Sequence, residues 1–258
     1  MGKIFDLDSP IMRALTKMAD VMWLNVLTLI FAVPLIVEQF FMLGPILMGE
    51  QEFAVNYVLY AWLFGIIASI PLGPALCAMH FVLLKIVRDE ESYVTKAFFK
   101  ALKENFKQGA ILMVIVFAAG GILLMDYLLM KNVGTVYKYI LFAVALMLYL
   151  ASLYVFPLQA KFINKIPSTI KNSFLMAILA LPKTIAMAIC TLLPFVLYYL
   201  FDYKIVPILF LFGFAGPGYL CAALYSETFK KFEPKEEAVS EEEELDNAIR
   251  KIDEEEDQ

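Results

Sequence analysis

Eighteen of the chain's 21 lysines and arginines fall on one side of a stack of apolar segments, and only Lys131, Lys138 and Lys204 fall on the other. Long apolar segments whose short connections alternate between basic and nearly base-free identify a polytopic membrane protein and orient it, because basic connections stay on the cytoplasmic side. The apolar fraction, 61%, supports this reading, since a soluble domain carries roughly 45–50%. A spanning helix needs about 20 apolar residues, so 258 residues accommodate about six spans and a tail. The expected fold is an all-α transmembrane helix bundle with amphipathic cytoplasmic elbow helices.

Residues 1–20 read as an amphipathic cytoplasmic lead-in carrying Lys3, Arg13 and Lys17, with Asp8-Ser9-Pro10 as a helix start. The transmembrane domain follows over 21–232. Its expected spans are Val21–Val37, Tyr57–Leu84, Gly109–Met130, Tyr139–Ala160, Thr184–Phe201 and Ile205–Tyr225. Gly44-Pro45 signals a turn in an outer loop over 38–56, and Asp202-Tyr203-Lys204 a tight outer turn. An even number of spans puts both termini in the cytoplasm. No small-x-small cleavage site closes the first apolar run, so the first helix is expected to stay in the mature protein. Residues 233–258 hold 13 acids and 3 bases and read as a disordered cytoplasmic tail. Its face of Leu245, Ala248, Ile249 and Ile252 leaves open a helix formed on a partner.

A shift of 76 residues lays 85–110 over 161–186 without a gap, pairing Lys85 with Lys161, Phe98 with Phe174, Ala101 with Ala177 and Lys107 with Lys183. Duplication and shared composition both account for this parallel repeat. Each copy reads as the inner end of a span, an elbow helix and the start of the next span. In the first elbow Val94, Phe98, Ala101, Leu102 and Phe106 form an apolar stripe that Lys96, Lys100, Lys103 and Lys107 avoid. These lysines, with Lys171 and Lys183 of the second copy, are expected to meet anionic headgroups at the inner surface. Because the cations flank apolar helices, no nucleic-acid partner is expected.

Gly65, Ser69 and Gly73 recur at four-residue steps and offer a face for close helix contact. Ile70-Pro71-Leu72-Gly73-Pro74-Ala75 in the second span and Phe214-Ala215-Gly216-Pro217-Gly218 in the sixth interrupt helical hydrogen bonding, and the freed backbone groups must be buried in protein or line a wet cavity. Such a pair reads as structural kinks or as a central binding or gating site. Asn25 in the first span reads as an interhelical hydrogen-bonding residue or a substrate contact, and the single histidine, His80, as a packing residue or a proton relay. Cys77, Cys190 and Cys221 lack metal or redox spacing and read as reduced packing residues. No cofactor, no metal and no catalysis are expected, because neither a nucleophile with its base nor a ligand set is visible.

Asp8-Ser9-Pro10, Asp20, Leu24-Asn25, Pro71 with Gly73-Pro74-Ala75, Lys85 with Arg88-Asp89-Glu90, and above all Ala97-Phe98-Phe99-Lys100-Ala101-Leu102-Lys103-Glu104-Asn105-Phe106-Lys107-Gln108 form a pattern that resembles the YesL-like membrane proteins, domain of unknown function 624. The resemblance covers about residues 1–232 and is most specific over 85–108. It departs between Pro34 and Pro71, where this chain carries extra residues. The resemblance implies a multi-pass protein of the bacterial cytoplasmic membrane, typical of Gram-positive bacteria and often encoded beside carbohydrate ABC importers and glycan-degrading enzymes. It supplies no catalytic residues. The expected function is a non-enzymatic accessory or regulatory component of carbohydrate uptake that contacts importer subunits. The alternatives are a small-solute transporter with its site between the broken second and sixth spans, and a membrane scaffold; a homo-oligomer is compatible with each.

Overall fold

The structure, a computed structural model, describes residues 10–49, 52–90, 93–130, 133–162 and 164–233. Lys3, Asp8, Ser9, Lys131 and the tail from residue 234 lie outside the described residues. Helices account for nearly all of the rest: α1 (Pro10–Leu47), α2 (Val55–Ala68), α3 (Leu72–Val87), α4 (Val94–Glu104), α5 (Phe106–Leu129), α6 (Thr135–Lys161), α7 (Ile166–Leu179), α8 (Leu181–Phe201), α9 (Val206–Phe212) and α10 (Ala215–Lys230). The chain divides into two units, residues 1–226 and 227–258. The described part of the second unit ends in a turn at 231–233.

α3 lies in the interior, with Ala75, Cys77, Ala78, Val82 and Leu83 at 0% exposure. It packs against α1, α4, α5 and α6, as a helix apolar on every face must. On the periphery the apolar residues face outward: Phe41, Phe142, Ile189, Phe195 and Tyr199 are more than half exposed. That surface suits hydrocarbon and would be a severe liability in water. Four helical stretches are long and apolar enough to cross a membrane, and α2 with α3, bent by 59°, makes a fifth as a broken span. The molecule is an all-α polytopic membrane bundle.

The first expected boundaries are corrected. The lead-in and the first span are one 38-residue helix that passes through Pro34 and Pro45. At about 1.5 Å per residue it is about 57 Å long, well beyond the roughly 30 Å apolar core of a bilayer. Gly44-Pro45 does not turn, because the apolar run continues to Met48 and a break there would expose backbone groups that lipid cannot satisfy. The reversal comes at Gly49, whose φ of 74° suits only glycine without strain. The extra residues between Pro34 and Pro71 are thus the far half of α1, this turn and α2.

By length and composition four helical stretches, or five with the bent pair, qualify as spans, against the six expected. The difference lies in 205–225, where α9 has only seven residues and α10 ends in the largely polar Ser-Glu-Thr-Phe-Lys. Neither alone suffices to span. The chain does reverse at the expected turn, through a 3-10 turn over Asp202–Ile205 in which Asp202 has φ 50°. α10 then runs back beside α8, bringing the Cys221 thiol 3.8 Å from the Met187 carbonyl.

The repeat is visible in the element order: a helix end, an elbow helix, a break at Asn105 or Ala180, and the next long helix. Its halves differ in their surroundings. Phe98 is fully buried and its ring lies 6.0 Å from that of Phe31 on α1, whereas its counterpart Phe174 is only half-buried. The apolar stripe of α4 packs on the bundle through Val94, Phe98 and Ala101, while Phe106, expected in that stripe, opens α5 and is exposed. α7 is not a basic surface helix, since Leu175, Ile178 and Leu179 are exposed; only α4 matches the expected elbow.

Candidate functional site

Both expected interruptions occur. The first falls at Ser69–Pro71, between α2 and α3. Pro71 and Pro74 lack N–H groups, so a continuous ladder is impossible there, and Ser69 caps the turn by donating to the Ile66 carbonyl at 2.9 Å. The small residues around the break make close approach possible. A Cβ on Gly73 would overlap the Gly109 carbonyl oxygen and come 2.6 Å from Met113 Cβ; one on Gly65 would come 2.7 Å from the Phe117 ring. Both contacts are with α5, as the four-residue spacing of small residues anticipates.

The second interruption lies at Gly213–Phe214, at the leading edge of the expected segment 214–218, and Gly216, Pro217 and Gly218 form the first turn of α10. The physical reason is Asn25. Its side chain is fully buried and inserts into the gap between α9 and α10. The Phe214 and Ala215 backbone N–H groups both donate to Asn25 Oδ1 at 2.7 Å, and Asn25 Nδ2 donates to the Phe210 carbonyl at 2.8 Å. In an unbroken helix the Phe214 N–H would have bonded the Phe210 carbonyl. A single amide from α1 therefore replaces helical hydrogen bonds at the break and satisfies groups that would otherwise be buried without partners. Asn25 is a structural staple, bonded through both its oxygen and its nitrogen.

A cavity of about 410 Å³ separates α3, α6, α8 and α10, lined among others by His80, Thr191, Pro194, Pro217, Gly218 and Cys221. It brings together His80, Pro217 and Gly218 of the expected site; Gly73 and Pro74 lie at the α5 contact instead, Pro71 lies in the α2–α3 break, and Gly216 faces a different groove, beside Leu193 and Leu209. Its polar side chains bond within the bundle. The Ser152 hydroxyl donates to the Tyr149 carbonyl at 2.7 Å, Thr191 to the Met187 carbonyl at 3.1 Å, and His80 Nδ1 lies 3.1 Å from the Tyr225 hydroxyl. Among the described residues no three His, Cys, Asp or Glu side chains gather as metal ligands.

A second polar cluster, unanticipated from sequence, joins α5, α6 and α7. Gln159 is 3% exposed; its amide nitrogen bonds the Gln108 side-chain carbonyl and lies 3.4 Å from Asn105 Oδ1, while Thr169 donates to its oxygen at 3.0 Å. The signal was present in Asn105 and Gln108 at the elbow, but their partner lies on another span. Gln159→Leu is expected to destabilise the protein by about 2 kcal/mol, because it leaves buried polar partners unsatisfied. Thermal unfolding in detergent checks this, with exposed Ser168→Ala unchanged as the control.

Of the expected surface lysines, Lys96, Lys100, Lys103, Lys107 and Lys171 are exposed and Lys183 is half-buried. Near the start of α4, Trp23 donates its indole N–H to the Thr95 hydroxyl at 2.8 Å, and Lys17 pairs with Asp89 at 2.6 Å. Both contacts tie α1 to the elbow region.

No curated protein and no solved structure matches the chain. Residues 21–127, which hold Asn25, the α2–α3 break, His80, the lysine face of α4 and Gly109, match the family model described as Protein of unknown function, DUF624.

Proposed function

We propose that the protein is a non-enzymatic accessory component of a carbohydrate importer in the bacterial cytoplasmic membrane, with both termini in the cytoplasm. The observation that carries this reading is the contrast between interior and surface. Asn25, Gln159, Ser152 and Thr191 are bonded within the bundle, while Lys96, Lys100 and Lys103 stand exposed on the face of α4 opposite buried Val94, Phe98 and Ala101. A pathway for a polar solute needs polar groups free to replace its water; a contact protein needs a stable platform with a distinctive surface. The basic connections support the orientation, and the family resemblance supports the carbohydrate importer as partner. Anionic headgroups share the lysine face at its edges.

The test is affinity purification of the tagged protein from mild-detergent membranes of its native host, followed by mass spectrometry. Importer subunits are expected in stoichiometric yield. Lys96→Glu, Lys100→Glu and Lys103→Glu combined are expected to lower that yield about tenfold, the equivalent of 1.4 kcal/mol, with thermal stability unchanged because these side chains are exposed. Recovery of the protein alone overturns the reading. The cavity between α3, α6, α8 and α10 favours the second reading, a small-solute transporter.

A further inference from the structure

Between α5, α6 and α7 a groove of about 520 Å³ opens sideways, lined by Gly120, Ala145, Ser152, Phe174 and other almost wholly apolar groups, with Tyr127 and Lys138 at one end. We propose that this groove binds one acyl chain of an anionic phospholipid, with its phosphate at Lys138. The site goes beyond the accessory reading and does not depend on it.

Dimensions select the occupant. Lys138 and Ser152 are both on α6, about 21 Å apart along the helix axis at about 1.5 Å per residue. Half a bilayer including headgroups is also about 20–22 Å. Spreading 520 Å³ over that length and adding the radius of a water molecule, about 1.4 Å, at each wall gives a channel about 8 Å across, against the 10–12 Å diameter of an α-helix. One methylene chain fits such a width at ordinary carbon contact distances of about 4 Å; a helix from a partner or a second copy does not.

Charge selects the headgroup. Lys138 is exposed and forms no ion pair among the described residues. The nearby carboxylate, Asp126, is bonded by the Tyr137 hydroxyl. The groove exists because its walls are small: a Cβ on Gly120 would meet nothing within 4 Å. Filling that space should therefore close the groove without disturbing the fold. The half-buried ring of Phe174 forms part of the far wall, where its counterpart Phe98 is covered by α1.

The experiment is native mass spectrometry of the full chain released from nanodiscs of phosphatidylglycerol or of phosphatidylcholine. One retained phosphatidylglycerol per chain is expected. Gly120→Phe is expected to lower retention about tenfold, and Lys138→Gln to remove the preference for phosphatidylglycerol over phosphatidylcholine. Circular dichroism and elution volume establish that each variant is folded, and Ala145→Phe serves as a second block should Gly120→Phe fail to fold. Equal retention in wild-type and blocked variants overturns the site. Equal retention of both lipids by the wild type overturns the role of Lys138. A lipid-free dimer overturns the proposed occupant.

Discussion

Asn25→Leu lowers stability by about 4 kcal/mol, on the order of 10 °C in thermal unfolding for a chain of this size. The change deletes one acceptor and one donor, leaving the Phe214 and Ala215 N–H groups and the Phe210 carbonyl without their partner. Each orphaned buried group costs about 1–3 kcal/mol. Closing the gap into a regular helix would recover part of that loss, but Ala215 at 0% exposure is packed where it stands. Leu24→Met, at the adjacent fully buried position, costs less than about 1.5 kcal/mol because volume is conserved. Amide hydrogen exchange localises the effect: protection at 214 and 215 collapses in the Asn25 variant and persists in the Leu24 variant. Equal protection in both would show that the break is held by something other than Asn25.

Gly73→Ala has the next largest effect, about 3 kcal/mol. The added Cβ meets the Gly109 carbonyl oxygen and Met113 Cβ. Backbone cannot swing aside as a flexible side chain can, so α3 and α5 must move apart along their crossing, which is the upper end of the cost of overpacking. Gly109→Ala acts from the other side, with its Cβ 2.9 Å from Pro74 Cα. Gly120→Ala, further along α5, has open space around it and is neutral or slightly stabilising, because alanine favours helix over glycine by up to about 1 kcal/mol. Unfolding curves for the three variants separate close packing from helix propensity. A Gly120 variant as damaged as the Gly73 variant would contradict the packing geometry.

Local features of the sequence were legible. The apolar runs, the break at Pro71, the reversal at Asp202 and the small-residue face at Gly65 and Gly73 each follow from chemistry confined to a few neighbours. The second break was legible at the edge of 214–218, but what holds it there, Asn25, lies 190 residues away in the chain. Asn25 itself was legible as a polar residue needing a partner, but hydrophobic periodicity does not say which helix supplies one. Gly44-Pro45 misled for a related reason. Its turn propensity is measured against water, and in an apolar stretch the cost of unpaired backbone outweighs it. The Gln159 cluster joins residues on three helices, so its parts looked like ordinary interfacial amides.

The central claim is that the interior polar groups hold the bundle together and that the protein works through its surface. Cys221 lies in the wall of the α3–α6–α8–α10 cavity and is 2% exposed, so it reports on water there without an introduced label. The decisive measurement is the labelling of Cys221 by a charged, membrane-impermeant maleimide in liposomes carrying the protein with Cys77→Ala and Cys190→Ala, reagent being present on both sides of the bilayer. The account predicts no labelling of the folded protein and complete labelling after denaturation. Rapid labelling of the folded protein would mean a water-filled cavity, and would replace the accessory reading with a transporter.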